Sequence, residues 1–345
     1  MLHLVSEFTL ESGRTLRQVP VAFQTWGRLN TRGDNAVVVC HALTGNTQAD
    51  QWWGGLIGPG RALDTDRYFV VCANVIGSPY GTLSPLTRNP DTGQPWGADF
   101  PRTTIRDTVA LHRALLEALG VQQVALAVGG SMGGMQVLEW AFQGDFVQRI
   151  APIAVGGRHS AWCIGWSEAQ RQAVFADPRW QDGRYDPEYP PAAGLAAARM
   201  MAMISYRARP EFEHRFGRQA QEDDGLFRVE GYLRHQGAKL VQRFDANCYV
   251  HLTWQMDTHD VARGRGSYPD VLRGLWQPAL VVGIRSDVLY PLEEQEELVK
   301  WMPNAELFVL DAPYGHDTFL IELDPLNGML HRWMAATEQP ARLVG

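Results

Sequence analysis

Four cysteines occur in 345 residues, Cys40, Cys72, Cys163 and Cys248, and no two form a C-x-x-C pair. That spacing argues against a disulfide framework and gives no support to a thiolate zinc site or to redox chemistry. Long apolar runs are also missing. The longest, such as Ala36–Cys40 and Ala279–Ile284, fall far short of the roughly 20 residues that span a bilayer, so no membrane segment is expected. Residues 1–7 carry no positive n-region and reach Glu7 before a long apolar stretch can form, so no secretory leader is readable and a cytoplasmic location is expected. Basic stripes are absent as well: 38 acids and 31 bases are scattered to a formal net charge of −7, which argues against nucleic acid as a partner. Repeats and low-complexity tracts are lacking, while hydrophobic residues make up 45% of the chain, enough to bury a large core.

What is present is an alternation of short β-branched runs with helical periodicity. Residues 8–10 and 18–26, on either side of the Ser12-Gly13 turn, read as hairpin strands. Ala36–Cys40 and residues 68–74 follow as buried parallel strands. Ile105, Val109, Leu111, Leu115, Leu116 and Leu119 share a helix face that Gly120 can cap. A strand at 123–128, a helix at 135–142 and a strand at 150–155 continue the rhythm. Residues 162–266, rich in Arg, Gln, Trp and Met, interrupt it and read as a helical insertion or lid. It resumes with strand 278–284, helix 291–301, strand 306–310 and helix 318–333. The expected class is α/β, a mostly parallel sheet flanked by helices. Its core is split into residues 1–161 and 267–345 around the lid.

Gly129-Gly130-Ser131-Met132-Gly133 matches G-x-S-x-G, the nucleophile elbow, with a strand before it and a helix after it. The glycines permit a turn tight enough to present the hydroxyl near a helix N-terminus, where backbone N–H groups stabilise negative charge. A serine hydroxyl needs a base oriented by a carboxylate, and in this architecture the order is Ser, then acid, then His. Asp287 follows strand 278–284 and His316 follows strand 306–310, both at carboxyl ends where open α/β sheets build their sites. The oxyanion donors are expected to be the N–H of Met132, directly after the nucleophile, and that of Leu43 in the loop after Ala36–Cys40. Asp257, His259 and Asp260 lack the further spacing of a metal site, so no metal is expected.

The strings His41-Ala42-Leu43-Thr44-Gly45, Gly77-Ser78-Pro79-Tyr80-Gly81, Gly129-Gly130-Ser131-Met132-Gly133-Gly134-Met135-Gln136, Arg243-Phe244-Asp245-Ala246-Asn247 and Gly315-His316-Asp317 together resemble the homoserine O-acetyltransferase family of the α/β-hydrolase superfamily. The resemblance covers nearly the whole chain. The runs 158–164 and 167–172 look especially like the fungal branch, without the long low-complexity insertion of some fungal members. The resemblance implies an α/β-hydrolase fold and a ping-pong transfer from acetyl-CoA through Ser131 to the γ-hydroxyl of L-homoserine, in methionine synthesis. It implies no cofactor beyond acetyl-CoA as cosubstrate, and a homodimer. It also implies that the acceptor is held by Arg199 and Asp317, a guanidinium for the carboxylate and a carboxylate for the ammonium. Tyr206 and Tyr232, in family-like strings, are candidates to line the pocket. Competing readings are transfer to L-serine or from succinyl-CoA, a serine esterase or peptidase with the same triad, and a non-catalytic binding protein of the same fold.

Overall fold

A computed structural model describes residues 1–220 and 225–338. Eight strands form one sheet: β1 (Leu2–Thr9), β2 (Thr15–Trp26), β3 (Ala36–Cys40), β4 (Phe69–Ala73), β5 (Val124–Gly130), β6 (Ile150–Ile153), β7 (Ala279–Ile284) and β8 (Ala305–Leu310). Their order across the sheet is β1-β2-β4-β3-β5-β6-β7-β8. β1 and β2 pair antiparallel, as do β2 and β4, and every pair from β4 to β8 is parallel. The carboxyl ends of β3, β5, β7 and β8 therefore open on one edge, which is why loops distant in sequence can share a site.

Alternation along the strands sorts side chains into two apolar layers. Val37 and Val39 of β3 pack with Val70, Leu126, Val128 and Val282 on one face. Val38 and Cys40 pack with Val71, Ala127 and Val281 on the other. Helix Ile105–Ala118 covers this second face and is fixed at its start by a capping box: Thr104 Oγ1 accepts from Asp107 N–H and the Asp107 carboxylate accepts from Thr104 N–H.

Some element bounds differ from expectation. The hairpin strand β1 begins at Leu2 rather than residue 8, because pairing with β2 extends to Ala22. The helix after the elbow begins at Met132, not 135, since a turn this tight leaves no linker. The last helix is divided at Glu322 into Thr318–Ile321 and Leu323–Thr337. Between β6 and β7 the chain passes through helices Ala161–Phe175, Ala192–Ser205, Arg209–Arg215, Arg228–Val241, Ala246–Asp257 and Tyr268–Arg273. Ser160 and Asp245 cap two of these by accepting from Cys163 and Cys248 N–H. Residues 221–224 of the expected insertion and 339–345 of the expected second core segment lie outside the described residues.

Helix Met132–Trp140 sits so close to β3 that a Cβ at Gly133 would overlap the carbonyl oxygen of Cys40. The obstacle is backbone within the central sheet, which cannot move aside as a side chain would. Gly133→Ala is therefore expected to destabilise the protein by about 3 kcal/mol or more. The check is the midpoint of urea unfolding; a midpoint equal to the parent's contradicts this packing.

Candidate active site

β5 runs directly into Ser131, whose backbone lies at φ 59° and ψ −126°, a conformation that side chains rarely adopt. The strain, of order 1–3 kcal/mol, is held by neighbours: Ser131 N–H donates to Ile153 O at 2.9 Å, and Met135 N–H donates to Ser131 O at 3.1 Å. The turn lifts the hydroxyl off the sheet at the start of helix Met132–Trp140.

Two loops bring acid and imidazole together. His316 Nδ1 donates to Asp287 Oδ2 at 2.6 Å. The other carboxylate oxygen accepts the N–H groups of Leu289 and Tyr290 at 2.8 and 2.9 Å, so the acid is held by its own loop as well as by the imidazole. Ser286 ties the loops to each other, its Oγ donating to Ala312 O and accepting from Gly315 N–H. Burial by itself lowers the His316 pKa, but the charge and hydrogen bond of Asp287, with Asp317 behind them, outweigh it and hold the imidazole above the ordinary histidine value. His316 Nε2 is buried and has no hydrogen-bond partner among the described residues. The Phe319 ring lies against the edge of His316 at 5.7 Å and occupies the space a side chain at Gly130 would need, linking the elbow to the imidazole.

The loop after β3 is set by a residue that spacing did not single out. His41 is fully buried, and burial pushes its pKa down to about 4. Its Nε2 accepts the Val75 N–H at 3.1 Å, which makes Nδ1 the protonated nitrogen, donating to Ala42 O at 2.8 Å. The loop is fastened on its other side by Gln136, whose amide donates to the carbonyls of both His41 and Met132. The two expected oxyanion donors, Leu43 and Met132, thus lie on segments joined by one side chain.

Arg199 and Asp317 both lie against Tyr206. Arg199, on helix Ala192–Ser205, lies over the Tyr206 ring at 5.6 Å, and its buried Nη1 has no hydrogen-bond partner among the described residues. Tyr206 packs against His316 with ring centroids 5.7 Å apart, whereas Tyr232 packs against Phe212 and Phe216. Asp317 meets Arg207 Nη2 at 3.2 Å, a partner that sequence reasoning missed because 110 positions separate them. Tyr290, also missed, lies 5.3 Å from the His316 ring and bonds His159 Nδ1 through its hydroxyl at 3.0 Å. Asp257, one of the residues weighed for a metal, pairs with Arg171 at 2.7 Å. His259 bonds Gly156 O at 3.0 Å.

The site is narrow. Ser131 is 9% exposed and His316 2%, so solvent has little access to either. Two surface cavities, of about 390 and 150 Å³, are lined by other residues.

Residues 35–323 match the family described as alpha/beta hydrolase fold. A homoserine O-acetyltransferase of Salinibacter ruber is 66% identical over 338 residues, covering 96% of each chain. Among solved structures, esterase E22 superposes with a TM-score of 0.89 at 26% identity, covering 97% of this chain and 99% of that one. The homoserine O-acetyltransferase of Bacillus anthracis superposes with a TM-score of 0.91 at 24% identity, covering 97% and 96%, a likeness of fold. On its sequence relatives and its fold, the chain belongs to the homoserine O-acetyltransferase family of acyltransferases, within the α/β-hydrolase fold.

Proposed function

We propose that this protein transfers an acetyl group from acetyl-CoA to the γ-hydroxyl of L-homoserine through an acyl-enzyme at Ser131, giving O-acetyl-L-homoserine and CoA for methionine synthesis. The observation that carries the reading is the Asp287-His316 pair, whose Nε2 has no hydrogen-bond partner among the described residues, beside a buried region that holds a guanidinium and a carboxylate. An uncharged ester needs neither ion, whereas a zwitterionic amino acid uses both.

In the first half-reaction His316 Nε2 takes the Ser131 hydroxyl proton as Oγ attacks the thioester carbonyl. The N–H groups of Leu43 and Met132 stabilise the oxyanion. Collapse breaks the C–S bond, and the proton passes from His316 to the CoA sulfur. In the second, the acceptor γ-hydroxyl gives its proton to His316 and attacks the acetyl carbonyl; the proton then returns to Ser131 as the ester leaves. Water competes for the acyl-enzyme, and the low exposure of Ser131 and His316 supports transfer over hydrolysis.

The likeness to esterase E22 favours one second reading, an esterase. Thiol release from acetyl-CoA or succinyl-CoA, measured with L-homoserine, L-serine or water alone, separates the possibilities. Release that depends on acetyl-CoA and homoserine is expected. Release indifferent to acceptor supports the esterase, and a preference for serine or for succinyl-CoA keeps the mechanism but changes a substrate.

A further inference from the structure

We propose that Arg207 is a positioning residue for the amino-acid acceptor: by pairing with Asp317 it holds that carboxylate beside His316 and leaves Arg199 uncommitted, so that both ends of a zwitterion can be met at once. The inference rests on the acceptor reading above and adds a residue to it.

Three observations carry it. The first is the ion pair itself. Arg207 Nη2 lies 3.2 Å from Asp317 Oδ2 and its Nη1 lies 3.5 Å from Glu211 Oε1, with both Arg207 and Asp317 largely buried. The second is backbone docking. Asp317 N–H donates to Tyr206 O at 3.2 Å. Gly315, at φ 68°, presses so closely on the backbone of Arg207 and Ala208 that a Cβ there would lie 2.6 Å from the Arg207 carbonyl carbon. The end of the lid helix and the histidine loop are thus held in register, and Arg207 cannot shift without moving the loop that carries His316.

The third is the polar inventory. A pair kept only for stability tends to satisfy its buried atoms, yet Arg207 Nε, Glu211 Oε2 and Arg199 Nη1 have no hydrogen-bond partner among the described residues. The charged and titratable groups acting on Asp317 are Arg207, Arg199, His316 and Asp287, and its charge is felt in turn by the Tyr206 phenol. Burial raises the Asp317 pKa; Arg207 opposes this most, followed by His316 and Arg199, while Asp287 reinforces it. With Arg207 removed, the carboxylate either takes a proton or draws Arg199 toward itself. Each outcome removes one of the two charges the acceptor requires.

The experiment separates the half-reactions in Arg207→Gln and Arg207→Lys. The burst of thiol from acetyl-CoA without acceptor reads acylation and counts folded sites, and the KM for L-homoserine reads acceptor binding. Arg207→Gln is expected to raise that KM by about 10- to 100-fold, the factor for losing a charge-assisted hydrogen bond, with the loss confined to the acceptor step. Arg207→Lys is expected to recover much of it. The effect in Arg207→Gln should deepen below neutral pH, as the unsupported carboxylate protonates. An unchanged homoserine KM in Arg207→Gln, or a burst lost in both variants together with transfer, overturns the assignment. Absence of homoserine-dependent release in the unsubstituted protein overturns the proposed function itself, a separate result.

Discussion

Ser131→Ala is expected to lower acetyl transfer by roughly 10⁴- to 10⁶-fold, since nothing else at the elbow can carry the acyl group. Its fold should persist. Ser131 sits at φ 59°, and alanine at the same position inherits the same backbone strain, so the thermal midpoint stays near that of the parent. Ser131→Gly makes the contrast: equally inactive, it adopts this conformation freely and gains about 1 kcal/mol. Thiol release and thermal melting on the three proteins together test the idea. Turnover above about one part in a hundred in Ser131→Ala would falsify the acyl-enzyme.

Asp287→Asn is expected to reduce turnover by about 10⁴-fold while leaving the imidazole in place, because an amide no longer selects the tautomer with Nδ1 protonated. The same substitution should move the pH profile, and the sign follows from the forces on His316. To act as base His316 must be neutral, so activity falls as pH drops through its pKa. In the parent that pKa is raised above the ordinary 6.5 by Asp287, against burial, and the acid limb lies above 6.5. Without the carboxylate, burial prevails and the limb moves to lower pH. The stability linkage runs in parallel: the charged pair's contribution is complete below the unfolded value of 6.5 and is lost as pH rises through the higher folded value. A limb that stays put in Asp287→Asn would show that Asp287 does not govern the base.

Legibility differs from residue to residue for physical reasons. Ser131 can be picked out because an elbow is a local object, a five-residue motif at a strand-to-helix turn whose chemistry depends on neighbours in sequence. Asp287 and His316 can be picked out because parallel strands place the loops after them on one edge, whatever the loops contain. His41 is hidden, since it fastens the loop after β3 through contacts with Val75 and Ala42 that no periodicity marks. Tyr232, carried by a family-like string, packs with Phe212 and Phe216. The break at Glu322 is masked by apolar spacing that continues across it, although Pro325, which lacks the N–H to continue a helix begun at Thr318, marks a new first turn there.

By itself the sequence determined the class of fold, the alternation that buries both faces of the sheet, the strand-to-helix turn at Ser131, and the chain order Ser131, Asp287, His316. These follow from hydrophobic period and local turn chemistry, which act over a few residues. Only the tertiary structure decided the strand order, the 2.6 Å pairing of His316 with Asp287, and the partnership of Arg207 with Asp317. Ion pairs and buried hydrogen bonds depend on distances of a few ångströms between segments far apart in the chain, as Arg207 and Asp317 are. Such distances are set by how whole layers pack, and no spacing along the chain encodes them.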